Sequence, residues 1–248
     1  SHGAYAMVGM SALAAVVLTG AQRPLGSIRT DARSNLIDAC QVATMGVAEV
    51  GIVFHSQLLR GCRASKLDAW SMNAFGSPAC PPLAELGLGV SLAPHVLPPR
   101  ARVPLDARIE PNVLAVRVFP GLEPKLLIGA LGAGVRGMVV EAFGSGNVPQ
   151  LTRSLIPVLD QARSLDVPVV IVSQCARGAV ELGAYAGGRA ALEAGAIGAG
   201  DMTPEAALTK LMVVLGRVEP SIGRIQAARQ AFSESWAGEI TLPGEPRA

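Results

Sequence analysis

Charge is what this sequence has least of. Of its 248 residues 16% are charged, against roughly 25% in ordinary soluble domains. Lys and Arg number 21 and Asp and Glu 19, for a net charge of +2 with no run of one sign. That balance excludes the basic footprint of a nucleic-acid binder. The four cysteines, Cys40, Cys62, Cys80 and Cys175, never fall at C-x-x-C spacing, and the three histidines form no ligand cluster with them. The pattern therefore predicts no metal site, no cofactor and free thiols in a reducing, cytoplasmic setting. No P-loop, G-x-S-x-G elbow or H-E-x-x-H occurs, which removes the common phosphate, hydrolase and zinc-protease signatures. Long hydrophobic runs are missing too. Ser1 to Gln22 carries no full charge, but Gly3, Gly9, Ser11, Thr19 and Gly20 dilute it, and a spanning helix needs about 20 mainly apolar residues. No basic segment precedes it to make a signal peptide. The stretch reads as a buried helix running into a buried strand, with no membrane partner, and the charge deficit as a surface covered by other subunits.

What is present is apolar and well punctuated: 50% hydrophobic, with 28 glycines and 18 prolines. That is enough for a real core and excludes wholesale disorder. Val16 to Thr19 reads as a buried strand. Asp31 or Ser34 can cap a helix whose apolar positions Leu36, Ile37, Cys40, Ala43 and Thr44 recur at helical spacing until Gly46. Val50 to Phe54 is the next strand, followed by loops through Arg60 to Lys66 and Phe75 to Pro82. Pro94, Pro98, Pro99, Pro104 and Pro111 mark a linker over residues 94–111. Strand and helix then alternate: strands at 113–119, 137–143 and 169–172, and helices at 122–131, 150–165 and 182–194. A last helix opens at Thr203-Pro204 and buries Leu208, Leu211, Met212 and Leu215. Such alternation predicts an α/β fold in two domains, 1–93 and 112–248, with parallel sheets flanked by helices.

Gly132-Ala-Gly-Val-Arg-Gly137 matches G-x-G-x-x-G, but it follows a helix and leads into a strand. A dinucleotide site needs the reverse order, because the pyrophosphate sits on a helix N-terminus, so the run reads as a helix stop and a turn. Loops at the carboxyl ends of strands are better candidates, since open α/β sheets place ligands there. They are Leu18 to Pro24, Glu141 to Asn147 and Ser173 to Gly178. In the second, Gly144 and Gly146 let backbone N–H groups approach a ligand and Asn147 offers both donor and acceptor.

The runs V-V-L-T-G-A-Q-R-P-L (16–25), D-A-R-S-N-L-I-D-A (31–39), L-L-R-G-C-R-A-S-K (58–66) and F-G-S-P-A-C-P-P-L (75–83) resemble the amino-terminal domain of L-asparaginases of the cytoplasmic type I group. V-F-P-G (118–121), E-A-F-G-S-G-N (141–147), V-S-Q-C-A-R-G (172–178) and G-D-M-T-P-E-A-A-L-T-K-L (200–211) resemble the carboxy-terminal domain. The resemblance implies a Rossmann-like two-domain fold with an incomplete first domain. It also implies hydrolysis of the side-chain amide of L-asparagine to L-aspartate and ammonia. In that family a threonine hydroxyl attacks the amide, a Thr-Lys-Asp relay deprotonates it and backbone N–H groups hold the oxyanion. By the same resemblance Lys66 matches the relay lysine. Asn147, with Gly146 and Ser145, matches the substrate-binding loop lent to a neighbouring site. Ser173, Gln174 and Cys175 match a loop that lines an effector pocket in some members. A homodimer or homotetramer is implied as well.

The departures fall at the amino terminus. The T-G-G-T strand has no counterpart, and His2-Gly-Ala-Tyr-Ala-Met7 stands where H-G-T-D is expected, so the catalytic threonine and aspartate are lost. The sequence therefore predicts an impaired enzyme, with an exposed sheet edge and poor solubility. The alternative is a non-catalytic module that binds asparagine or aspartate in the effector-like pocket. A component of a tRNA-dependent amidotransferase would call for additional domains.

Overall fold

The computed structural model describes residues 16–99, 106–219, 221–242 and 244–245. The region of the His2–Met7 run and the expected first helix lies outside them. The chain divides into two compact units. Of the described residues, those through Asp106 with Trp236–Glu239 make the first, and those from Ala107 to Ser235 with those from Ile240 onward make the second.

In the first unit, strand β1 (Val16–Thr19) lies parallel to β2 (Val50–Phe54), with helix α1 (Ala32–Ala43) between them in sequence. From β2 onward the sheet turns antiparallel. β3 (Gln57–Arg60) pairs with β2, β6 (Ala84–Leu86) with β3, and β7 (Val90–Leu92) with β6, in the order β1-β2-β3-β6-β7. β4 (Ser65–Lys66) and β5 (Phe75–Gly76) form a separate two-stranded ladder. The α/β class holds, but this sheet is mixed, where the sequence pattern predicted a parallel one. The reason is a two-residue turn at His55 and Ser56, both at positive φ (49° and 58°). That conformation builds a tight hairpin, yet it is normally announced by Asn-Gly or Asp-Gly, so nothing in His-Ser signalled it.

Every residue of β2 is buried, and its faces serve two clusters. Val53 joins Ala39, Val42, Leu58 and Leu83, whereas Ile52 and Phe54 join Leu59, Ala64 and Ala74. β1 is not the buried strand predicted: it ends the sheet order among the described residues, and Val16 is 43% exposed. The buried face of α1 also differs. Asn35, Ala39 and Val42 point inward, while Leu36, Ile37 and Cys40 are exposed. The inward face is one residue round from the apolar stripe because Asn35 is needed inside, as described below.

In the second unit, β8 (Val113–Arg117), β9 (Gly137–Ala142), β10 (Val169–Ser173) and β11 (Ile197–Gly198) form a wholly parallel sheet in the order β11-β10-β9-β8. The connecting helices are α2 (Pro124–Gly132), α3 (Ile156–Ser164) and α4 (Ala186–Glu193), followed by α5 (Pro204–Arg217) and α6 (Arg224–Phe232). Met138, Val140, Val169 and Ile171 point into one cluster with Leu127, Leu159 and Ala191. Val139, Val170 and Val172 are equally buried on the opposite face, where α5 packs against β8, β9 and β10. Burial on both faces is why these strands read as unbroken apolar runs. α3 and α4 start later than the apolar pattern predicted, and α6 and β11 were not predicted. At α5 the hydroxyl of Thr203 accepts from Ala206 N at 3.1 Å and Pro204 opens the helix, as the capping signal required. Leu211 and Leu215 are buried, but Leu208 and Met212 only partly. The Gly132–Gly137 run ends α2 and enters β9, with Gly134 at φ +95°.

Candidate functional site

The first unit places Lys66 at the end of the short β4 strand, opposite Phe75. Its ammonium lies 5.8 Å from the Phe75 ring centre and donates to Gln22 Oε1 at 3.0 Å. Gln22 sits in the loop that leaves β1, one of the strand-end loops singled out in the sequence. Its own amide Nε2 donates to Ser71 O at 2.9 Å and Ala69 O at 3.3 Å. Its backbone N–H donates to both oxygens of Asp31, at 3.1 and 2.9 Å.

Asp31 caps no N–H of α1 with its side chain; the carboxylate turns back to the loop instead, taking Arg23 N at 3.0 Å and Asn35 Nδ2 at 3.3 Å. Burial works to raise its pKa, but the N–H groups of Gln22, Arg23 and Asp31 itself, with the Asn35 amide, outweigh that and hold it below the usual carboxylate value. Asn35, 2% exposed, completes the series. Its Nδ2 donates to Gly20 O at 2.9 Å and its Oδ1 accepts from His55 N at 3.1 Å. One buried amide thus ties the β1 exit loop to the β2–β3 turn. Gln22, Asp31 and Asn35 were not among the site residues expected from sequence. The available signal was a polar residue on the small-residue face formed with Ala39 and Val42.

The second unit gathers the other six. The 141–147 loop folds back on itself, with Asn147 N donating to Phe143 O at 2.8 Å and Phe143 N to Asn147 O at 3.1 Å. Ser173 Oγ donates across to Gly144 O at 2.6 Å and accepts from Cys175 N at 2.9 Å, so the two loops are fastened at the carboxyl ends of β9 and β10. Gln174 Nε2 is committed to the carbonyls of Val118 and Glu141, at 2.6 and 2.8 Å. Gly146 is buried at φ +106°; a Cβ there would come within 2.8 Å of Val180 Cγ1 and 2.9 Å of Leu182 Cδ2. Glycine is favoured at that position by its left-handed backbone, with the Val180 and Leu182 methyls crowding any side chain as well. Asn147 is exposed, with its carboxamide against Gly187. Ser145 Oγ is buried without a hydrogen-bond partner, while its carbonyl accepts from Glu181 N at 2.9 Å. Cys175 is exposed. Among the described residues no group of His, Cys, Asp and Glu could hold a metal ion, and no helix is long and apolar enough to cross a membrane.

Two domain profiles match the chain in order: the amino-terminal asparaginase domain over residues 3–96 and the glutaminase/asparaginase carboxy-terminal domain over 112–228. The chain belongs to the asparaginase family. It is 37% identical over 227 residues to an L-asparaginase of Thermococcus kodakarensis, covering 91% of this chain and 67% of that protein. The solved structure of the thermostable L-asparaginase from that organism superposes with a TM-score of 0.88 at 36% identity, over 97% of this chain and 72% of that one. L-asparaginase 1 of Escherichia coli K12 is 34% identical over 91% of this chain and 66% of its own length. The chain thus spans about two thirds of the length of these asparaginase relatives.

Proposed function

We propose that this asparaginase-family chain carries an amide-hydrolysing site for L-asparagine, releasing L-aspartate and ammonia, with Lys66 as the proton-relay lysine. The observation that carries this reading is the fixed Lys66 ammonium, held at 3.0 Å by Gln22 beside the β1 exit loop. A lysine is useful as a proton relay only if its head group is held where the reacting hydroxyl will lie, and an untethered four-carbon stem does not supply that. Ser145, Gly146 and Asn147 serve as the substrate-binding loop, with Ser173, Gln174 and Cys175 as its effector-sensing neighbour. Gln174 fixes the backbone through its Nε2, which donates to two carbonyls. The protein works as a cytoplasmic homodimer or homotetramer, without metal or cofactor.

Whether Ala4 and Tyr5 replace the threonine and aspartate of H-G-T-D or match the alanine and tyrosine that follow a deletion of them, the pair is lost from the His2–Met7 run, so turnover by this polypeptide is weak. Purified protein should release ammonia from L-asparagine slowly, and Lys66→Ala should lower the rate about tenfold or more, a loss typical of removing a proton-transfer group. Robust turnover that is lost in Lys66→Ala overturns the impairment and keeps the amidohydrolase. Release indifferent to Lys66→Ala overturns the role given to Lys66.

A second reading is favoured by the Ser173–Gly144 bond, which makes the two carboxy-terminal loops one element: a module that binds asparagine or aspartate without hydrolysing it. Calorimetry would then show binding without turnover, weakened in Cys175→Ala or Ser173→Ala.

A further inference from the structure

We propose that Gln22 is the positioning residue of Lys66, and that Asp31 and Asn35 hold Gln22 in place for that task. Lys66 is exposed, and an exposed lysine ordinarily samples many rotamers. Here the ammonium finds a side-chain acceptor, Gln22 Oε1, that is itself fixed at both ends. On one side the Gln22 carboxamide donates to the carbonyls of Ala69 and Ser71. That turn is shaped by Asp68, whose Oδ1 accepts from Trp70 N at 2.7 Å and Ser71 N at 2.9 Å. On the other side the Gln22 backbone N–H is held by Asp31, and Asp31 by the buried Asn35 amide. The series runs from a side chain 2% exposed to one in solvent, so order in the core of this unit is passed to the lysine head. A carboxamide suits the position because its two ends differ. The oxygen accepts from an ammonium while the NH2 donates to carbonyls, and no hydroxyl or carboxylate does both across that span.

The catalytic meaning of this arrangement rests on the relay role proposed for Lys66, whereas the positioning itself rests on the contacts alone. The sequence contains three lysines, Lys66, Lys125 and Lys210. Lys125 is exposed and Lys210 fully buried, so trace acetylation by isotopically labelled acetic anhydride can be read as the Lys66 to Lys125 ratio by peptide mass spectrometry. In the unmodified protein Lys66 should react several-fold more slowly than Lys125. Gln22→Ala should bring the ratio to about unity, a several-fold change of the size that one typical net hydrogen bond supplies. Gln22→Glu keeps an acceptor oxygen for the ammonium but gives up the donations to Ala69 O and Ser71 O, so it should protect Lys66 less than Gln22 and more than Gln22→Ala, which a general loosening of the loop would not. Asp31→Asn should give an intermediate ratio. A ratio unchanged in Gln22→Ala overturns the proposal, as does equal loss of protection in Gln22→Ala and Gln22→Glu. The two readings fail separately. Gln22-dependent protection together with ammonia release indifferent to Lys66→Ala breaks the catalytic role and leaves the positioning. Release that depends on Lys66, with protection that ignores Gln22→Ala, does the reverse.

Discussion

The two units hold their candidate residues by different means. In the second, every contact between the loops ends on a main-chain group: Phe143 and Asn147 pair through N–H and C=O, and the side chains of Ser173 and Gln174 donate to the carbonyls of Gly144, Val118 and Glu141. In the first, two steps join side chain to side chain, Asn35 to Asp31 and Lys66 to Gln22, and the Gln22 backbone N–H on the Asp31 carboxylate links them. Two ion pairs show a further contrast. Arg60 and Glu49 of the first unit are paired at 2.5 Å with side chains only 7% and 5% exposed, and they also bind His95 O and Leu97 N, at 2.9 and 2.7 Å. In the second unit the Arg163–Asp160 pair, at 2.9 Å, is 54% and 51% exposed. A contact that ends on the main chain depends on one side chain at most, because nearly every residue has the same N–H and C=O. A side-chain pair depends on two, so more single substitutions should damage the first unit.

The largest difference is expected at the ion pairs. Arg60→Ala strands the Glu49 carboxylate inside and should cost about 3–5 kcal/mol in denaturant unfolding, while Arg163→Ala should cost about 0–1 kcal/mol. Comparable losses would erase the contrast. Thiol chemistry provides the next test. Burial first, and then the nearby Glu239 carboxylate, pushes Cys62 up to about 12 from 9.0, which lowers its thiolate fraction about a thousandfold at neutral pH. Alkylation near pH 8 should mark the exposed Cys40 and Cys175 promptly and leave the buried Cys62 untouched until unfolding.

Polar networks give a smaller step. Asn35→Ala leaves Gly20 O and His55 N without their partner and should destabilise by about 1–3 kcal/mol, against about 0.5–1.5 kcal/mol for Ser173→Ala in its more open setting. Reversal of that order would show that the second unit is the more easily loosened of the two. Acid should act last and most locally. Asp31 is held below its ordinary value despite burial, and Asp68 is held low by Ser71 and Trp70 N–H groups. A depressed folded pKa means that the stabilisation is complete above the unfolded value of about 3.9 and is lost as pH falls through the folded one. Amide chemical shifts of Gln22, Arg23, Trp70 and Ser71 should therefore hold steady down to about pH 4 and move below it.

Legibility from sequence follows the same contrast. The parallel sheet of the second unit was readable because strands buried on both faces must be apolar throughout, and because Thr203-Pro204 is an explicit helix start. The first unit was less readable. The His55-Ser56 turn carries none of the usual glycine or asparagine markers, and α1 turns Asn35 inward where a 3.6-residue apolar count turns Leu36 and Ile37 inward. Lys66 and the two carboxy-terminal loops were given roles through short motifs, whereas Gln22, Asp31 and Asn35 lay inside the quoted runs 16–25 and 31–39 and were given none. They are joined by side-chain hydrogen bonds between positions 4 to 44 residues apart, which no local pattern encodes.

The account depends most on Lys66 giving and taking a proton. Ammonia release from L-asparagine should be compared in the unsubstituted protein, Lys66→Ala and Lys66→Arg. Arginine keeps the positive charge but stays protonated, so the prediction is that Lys66→Arg falls to the level of Lys66→Ala. Retention of unsubstituted turnover in Lys66→Arg would contradict it.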